Sequence, residues 1–252
     1  MNLTELETIL LEYPQPSECF EKLHILGGLK EFFPELHALI GVPQNENYHK
    51  EGDVWVHTML VLDEAAKRRS IAKNPFGFML SALCHDFGKA VCTEKIDGVI
   101  HAYGHEKEGI PLVSNFLYRL SADENLTKYV LEMVEFHMMP NIMANAKSKA
   151  KHTNKLFASV SEPFDLIQLA ICDGLGKTPQ NSANEEFLIM RLKRFNEIMA
   201  RPYVTEKDLI NVGITERLDE VLEYAEKLRF AGFDKDNTLR QCIPYARKVL
   251  KI

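Results

Sequence analysis

Ser81-Ala82-Leu83-Cys84-His85-Asp86-Phe87-Gly88-Lys89 decides how the chain is read. An apolar run, introduced by Asn74-Pro75 as N-cap and first helical position, predicts a helix that ends in a His-Asp doublet. Adjacent residues on a helix project roughly 100° apart, so His85 and Asp86 can both face one metal ion. Gly88 is expected in the left-handed conformation, stopping the helix and turning Lys89 toward the same cavity. Alone, such a doublet is equally a buried structural pair. The rest of the chain has to decide.

Outward from this stretch the helical period dominates. Thr4 and Glu7 suggest a capping box for a helix to about Glu12, and Ser17 a cap for one through Leu26. Short pieces over 29–33 and 35–40 lead to a loop over 44–52. Asp53 caps a helix through Arg69, on which Val54, His57 and Val61 share one stripe. Helices are expected from His105 to Leu120, from Asp123 to near His137, and from Pro163 to Cys172, the last ending in Asp173-Gly174. The remaining helices span about 185–200, 215–230 and 236–249. Asp97-Gly98 reads as a turn, and no convincing strand pair, repeat or low-complexity tract is found. The expected class is all-α. Three parts are expected: a helical lead-in over 1–46, a core over 47–180 and a helical C-terminal extension over 181–252.

Composition excludes several function classes. Among 252 residues, 46% are hydrophobic and 26% charged, as in a folded globular protein. The net charge of −6 argues against broad, nonspecific coating of nucleic acid. Five cysteines with no C-x-x-C give neither a disulfide framework nor a zinc ribbon. The apolar run over 76–84 is too short to span a bilayer, and Met1 leads straight into a helix without a signal peptide. A cytoplasmic protein with no membrane partner is the expectation.

The chemistry-bearing residues end or stud the helices. His57, His85, Asp86 and Asp173 form a mixed nitrogen and oxygen set suited to a divalent ion such as Mn, Fe, Co, Ni or Mg. Zinc is less favoured without a thiolate. Cys84 and Cys172 precede proposed ligands but read as small core residues. His105 and His137 are candidates for a second ion, with Asp86 bridging. Each has a plainer reading: a histidine on an apolar stripe is commonly a core residue, and Asp173 before glycine a turn residue. Lys89 can compensate a helix C-terminus, and Lys147, Lys149, Lys151 and Lys155 can form a solvated face. His24, His37, His49, His101 and His152 are read as structural, with His101 near the cavity's edge.

The order His57, His85-Asp86, Asp173 resembles the signature of the HD-domain metal-dependent phosphohydrolases. More closely, Glu51-Gly52-Asp53-Val54-Trp55-Val56-His57-Thr58-Met59-Leu60, His85-Asp86-Phe87-Gly88-Lys89 and His101-Ala102-Tyr103-Gly104-His105-Glu106 are similar to the HD region of bacterial CCA-adding enzymes, the tRNA nucleotidyltransferases. Phe33-Pro34-Glu35-Leu36 and Gly41-Val42-Pro43-Gln44 extend the likeness, which covers roughly 17–177 and continues more faintly beyond. The resemblance implies an HD helical bundle and hydrolysis of 2′,3′-cyclic phosphates, 2′-nucleotides or simple phosphomonoesters. Asp86 would orient or deprotonate water, and Lys89 would neutralise phosphoryl oxygens. The polymerase head of those enzymes should precede Ser17, so CCA addition is not expected of this chain. Met138 stands where two-metal members often carry another histidine. Two further classes compete: a helical module gripping tRNA or other RNA through Lys147 to Lys155, and a regulatory hydrolase of a signalling nucleotide.

Overall fold

The computed structural model describes residues 1–180 and 182–251 and is predominantly helical. The lead-in comprises α1 (Leu3–Glu12), α2 (Ser17–Ile25), α3 (Leu29–Phe32) and α4 (Pro34–His37). The central part comprises α5 (Val54–Arg68), α6 (Pro75–Cys84), α7 (Lys89–Cys92), α8 (His105–Arg119), α9 (Glu124–Phe136), α10 (Met139–Asn145), α11 (Ala150–Ala158) and α12 (Pro163–Leu175). After them come α13 (Glu185–Met199), α14 (Glu206–Asn211), α15 (Leu218–Phe230) and α16 (Lys235–Tyr245), followed by a π-helical turn over Ala246–Leu250. The boundary expected at residue 181 lies outside the described residues.

Helix α6 is apolar on every side, and every residue from Gly77 to Cys84 is buried. A helix with no polar face must be surrounded. Here α1, α5, α9 and α12 enclose it. Asn74 caps it as the sequence suggested, accepting from Gly77 N at 3.0 Å. Asp53 likewise caps α5 through Val56 N at 2.9 Å, and Asp123 caps α9 through Leu126 N at 2.8 Å. The main core runs from Leu6 to Phe195 and takes in Phe230. A second, small cluster joins Val204, Leu209, Ile214, Val221, Ala225, Cys242 and Ala246.

Several local expectations are corrected. The first capping box is Asn2 with Glu5, not Thr4 with Glu7. Ser17 caps nothing, because its N–H and hydroxyl both donate to Asp63 on α5. Residues 94–96 and 99–101 form an antiparallel hairpin, β1 and β2, that the sequence reading missed. Its turn residues Asp97 and Gly98 both have positive φ, at 50° and 84°, the twist that a two-residue hairpin requires. Asp173 lies inside the last turn of α12 rather than beyond its end.

Gly88 is corrected in its reason. Its φ is −63°, an ordinary right-handed value. A Cβ there would sit 2.0 Å from the carbonyl oxygen of His105 and 2.7 Å from the nitrogen of Gly109. The glycine is needed because two backbones touch, α7 against α8, and that contact carries His105 toward Asp86.

Candidate metal centre

Five elements deliver the six residues that the sequence reading grouped. His57 stands in the second turn of α5, His85 and Asp86 directly follow α6, and His105 opens α8. His137 caps the C-terminus of α9, and Asp173 comes from α12. All six are buried, none more than 6% exposed. So much ionisable side chain is costly to bury unless its charges and lone pairs are met inside.

The histidines are oriented by a repeated device. His85 Nδ1 faces the carbonyl of Ala82 at 2.9 Å, His105 Nδ1 that of Ala102 at 2.8 Å, and His137 Nδ1 that of Val134 at 2.7 Å. A carbonyl only accepts, so each Nδ1 carries the hydrogen and each Nε2 is turned into the cluster. His57 achieves the same orientation through Glu51, whose Oε1 lies 3.0 Å from its Nδ1. Its Nε2 then lies 3.1 Å from Asp173 Oδ1.

Beside a group of His49, Glu51 and His57, two further groups of donor atoms result among the described residues, one of His57, His85 and Asp173, the other of Asp86, His105 and His137. Within each, the atoms lie within 4.8 Å of one another. Asp86 reaches both. Its Oδ2 is 3.1 Å from His85 Nε2 and 3.7 Å from His57 Nε2. Its Oδ1 is 3.3 Å from His105 Nε2 and 3.9 Å from His137 Nε2. Lys89 Nζ approaches Oδ2 at 2.7 Å and donates to Gln44 Oε1 at 2.8 Å.

The chemistry of this donor set fits a divalent cation. His105 Nε2 and His137 Nε2 face each other at 3.4 Å with both Nδ1 hydrogens already committed. Two neutral rings so placed present lone pair to lone pair, an arrangement that needs a proton or a metal cation between them. His85 Nε2 and both Asp86 oxygens have no hydrogen-bond partner of adequate geometry. Asp165 shows the contrast: equally buried, its carboxylate accepts from Lys73 N, Asn74 N and the Tyr129 hydroxyl. The fold supplies partners for one buried aspartate and leaves the other to its cluster.

The electrostatics point the same way. Burial opposes ionisation of Asp86, and the neighbouring His85 and Lys89 overcome it, holding the carboxyl well below the usual carboxylate range. Burial and the neighbouring His85 and His105 push His137 down to about 3, so it is a neutral acceptor. At His105 burial works against the proton, but Asp86 raises its pKa above the ordinary value. Burial pushes the Cys172 thiol up to about 12 and Cys84 well above its ordinary value, keeping both as neutral thiols.

Three contributors were not singled out as site residues from the sequence. Glu51 is 2% exposed at its side chain, and its oxygens accept from His57 Nδ1, His49 Nδ1 and Thr178 N. Burial opposes its charge, yet these bonds hold its pKa at about 2. His49, read as structural, lines the cavity, with burial and Lys89 lowering its pKa to about 4. Lys177 donates to Asp173 Oδ2 at 3.0 Å and also lines the cavity. Position 177 is one helical turn beyond 173, a spacing that could have found it. The cavity, about 380 Å³, reaches Asp86, His105, His137 and Asp173, and is also lined by Lys89, His101 and Met138. The exposed Lys147, Lys149, Lys151 and Lys155 lie outside its lining.

The chain resembles one part of the multifunctional CCA proteins. It is 38% identical over 132 residues to the multifunctional CCA protein of Actinobacillus pleuropneumoniae, covering 52% of this chain and 32% of that one. With that of Pasteurella multocida it shares 34% over 181 residues, 69% of this chain and 42% of the relative. With that of Haemophilus influenzae the figures are 29% over 221 residues, 82% and 52%. The chain thus spans from about a third to about half the length of these curated relatives. No family model matches it. Among the described residues, no helix is long and apolar enough to cross a membrane.

Proposed function

We propose that the protein is a metal-dependent phosphohydrolase acting on 2′,3′-cyclic nucleotides, 2′-nucleotides or related phosphate esters, with residues 47–180 as its hydrolytic core. The observation that carries this reading is the convergence of His105 Nε2 and His137 Nε2, 3.4 Å apart, beside an Asp86 that reaches both donor groups. His57, His85, Asp86 and Asp173 would hold one divalent ion, and Asp86, His105 and His137 a second. When bound, such an ion withdraws charge from a phosphoryl oxygen and acidifies water. The chain's own groups do the rest. Lys89 offers a half-buried ammonium to the phosphoryl oxygens, steadied by Gln44. Lys177 adds a second ammonium at the cavity wall. Asp86, ionised and buried, would orient or deprotonate the attacking water as well as hold metal. A strained cyclic diester demands least of the leaving-group side, where the sequence offers no dedicated acid.

The test is a panel of 2′,3′-cyclic AMP, a 2′-nucleotide, a 3′-nucleotide and a 3′,5′-cyclic nucleotide, incubated with Mn, Co, Ni and Mg. Turnover of the 2′,3′-cyclic ester is expected, and it should vanish in Asp86→Ala while the helical circular dichroism persists. Inertness toward that ester with all four metals would overturn the reading. A weak RNA contact is a separate part of the proposal. It rests on Lys147, Lys149, Lys151 and Lys155, all exposed and none in an ion pair among the described residues. Salt-dependent retardation of tRNA would support it.

A further inference from the structure

The cavity that holds the donor groups has an aromatic wall that hydrolysis alone does not call for. Tyr103 lines it and is 70% exposed. Its ring is nevertheless steadied by a neighbour. His101 stacks on it with centroids 4.7 Å apart and planes 17° from parallel. His101 is itself fixed at the end of β2, paired with Glu94 across the hairpin. One face of Tyr103 is therefore covered by His101, the ring stays largely exposed, and both residues line the cavity. A single exposed tyrosine is ordinary. An exposed ring held flat by a second ring, on the wall of a cavity with two lysines, is not.

Position matters as much as exposure. Tyr103 precedes His105 by two residues, so their Cα atoms are at most about 7 Å apart. A ligand whose phosphate met Lys89 and Asp86 would have a nucleoside-sized group within reach of Tyr103. The ring is pre-ordered by its stack, so less rotamer freedom is lost when a planar group settles on it.

We propose that Tyr103, backed by His101, is a stacking platform for a nucleobase and sets this site's preference for nucleotides over non-aromatic phosphate esters. The inference deepens the phosphohydrolase reading and rests on it for the phosphate end of the ligand. Stacking needs a flat π-face and no particular edge, so the platform favours purines over pyrimidines without selecting one base.

Two measurements test it. The first is the ratio of kcat/KM for 2′,3′-cyclic AMP to that for the 1,2-cyclic phosphate of glycerol, in wild type, Tyr103→Ala and Tyr103→Phe. The ratio is expected to fall on the order of tenfold in Tyr103→Ala and to be kept in Tyr103→Phe. The second is binding of adenosine, which has no phosphate, followed by calorimetry with Tyr118→Ala as control for the 83% exposed Tyr118 elsewhere on the surface. Adenosine binding should weaken about tenfold in Tyr103→Ala and stay at the wild-type level in the control. An unchanged ratio, adenosine binding that ignores Tyr103, or no adenosine binding at all would overturn the platform. Tyr103-dependent adenosine binding in a protein that hydrolyses neither ester would keep the platform and overturn the hydrolase reading instead.

Discussion

Glu51 shows what a single residue contributes here. It touches no other donor of the two groups except His57, yet it fixes which nitrogen of that ring faces inward. Such outer partners commonly account for a 10- to 100-fold factor in metal affinity. Glu51→Gln should therefore weaken Mn binding by about that factor, read by calorimetry on protein shown to be folded by circular dichroism. Unaltered affinity would mean that His57 is oriented by Asp173 alone. All six clustered residues were named from the sequence, through their places on or at the ends of helices and through the order that carries the family resemblance. Glu51 was quoted within a motif without being given a role. It belongs to a loop, and its partners His57 and Thr178 are brought together only by the tertiary fold.

At the level of elements, the pairing of α5 and α12 sets the distance between His57 and Asp173. A Cβ on Gly176 would lie 2.5 Å from Val61 Cγ2 and 3.0 Å from Val61 N. Val61 is one turn past His57, and Gly176 nearly one turn past Asp173. Gly176→Ala should thus press the helices apart at the level of the site and cost about 1–3 kcal/mol in denaturant unfolding. Val61→Ala in the same chain should recover part of that loss, since it removes the nearer atom. No recovery would mean that the backbone contact dominates. Neither Gly88 nor Gly176 announces such a role in sequence. A glycine reads as a turn, and close approach of two backbones depends on which helices become neighbours. The hairpin escaped for a related reason: three-residue strands that are largely exposed leave no alternation of apolar and polar residues to read.

For the molecule as a whole, specific side-chain ties join distant elements. Arg68 on α5 donates to Gln168 on α12 at 2.7 Å and clasps Glu185 on α13 at 2.8 and 3.2 Å. The hydrogen bond from Arg68 holds the Glu185 carboxyl below its ordinary 4.5. A lowered folded pKa means that the contribution is present above about 4.5 and is lost as pH falls through the folded value. The stability difference between wild type and Glu185→Gln should accordingly shrink on acidification below pH 4.5, and a difference independent of pH would refute the pairing. Partial solvent exposure of both side chains keeps the effect modest.

The small cluster of Val204, Leu209, Ile214, Val221, Ala225, Cys242 and Ala246 has a consequence in time rather than in space. Free energy of opening follows the apolar contact that opening destroys, and this cluster has far less to lose than the main core. Among the ties that fasten the region to that core, Asn154 Nδ2 donates to the carbonyl of Phe230 at 2.8 Å and Arg229 Nη2 to that of Met199 at 2.9 Å. Amide hydrogens of α14 and α16 should exchange with solvent deuterium well before those of α5, α6 and α12, at a rate set by their own sub-global opening. Asn154→Ala should hasten α14 through α16 and leave α6 untouched. Simultaneous exchange of all these helices would instead mark the chain as one cooperative unit from Leu3 to Tyr245.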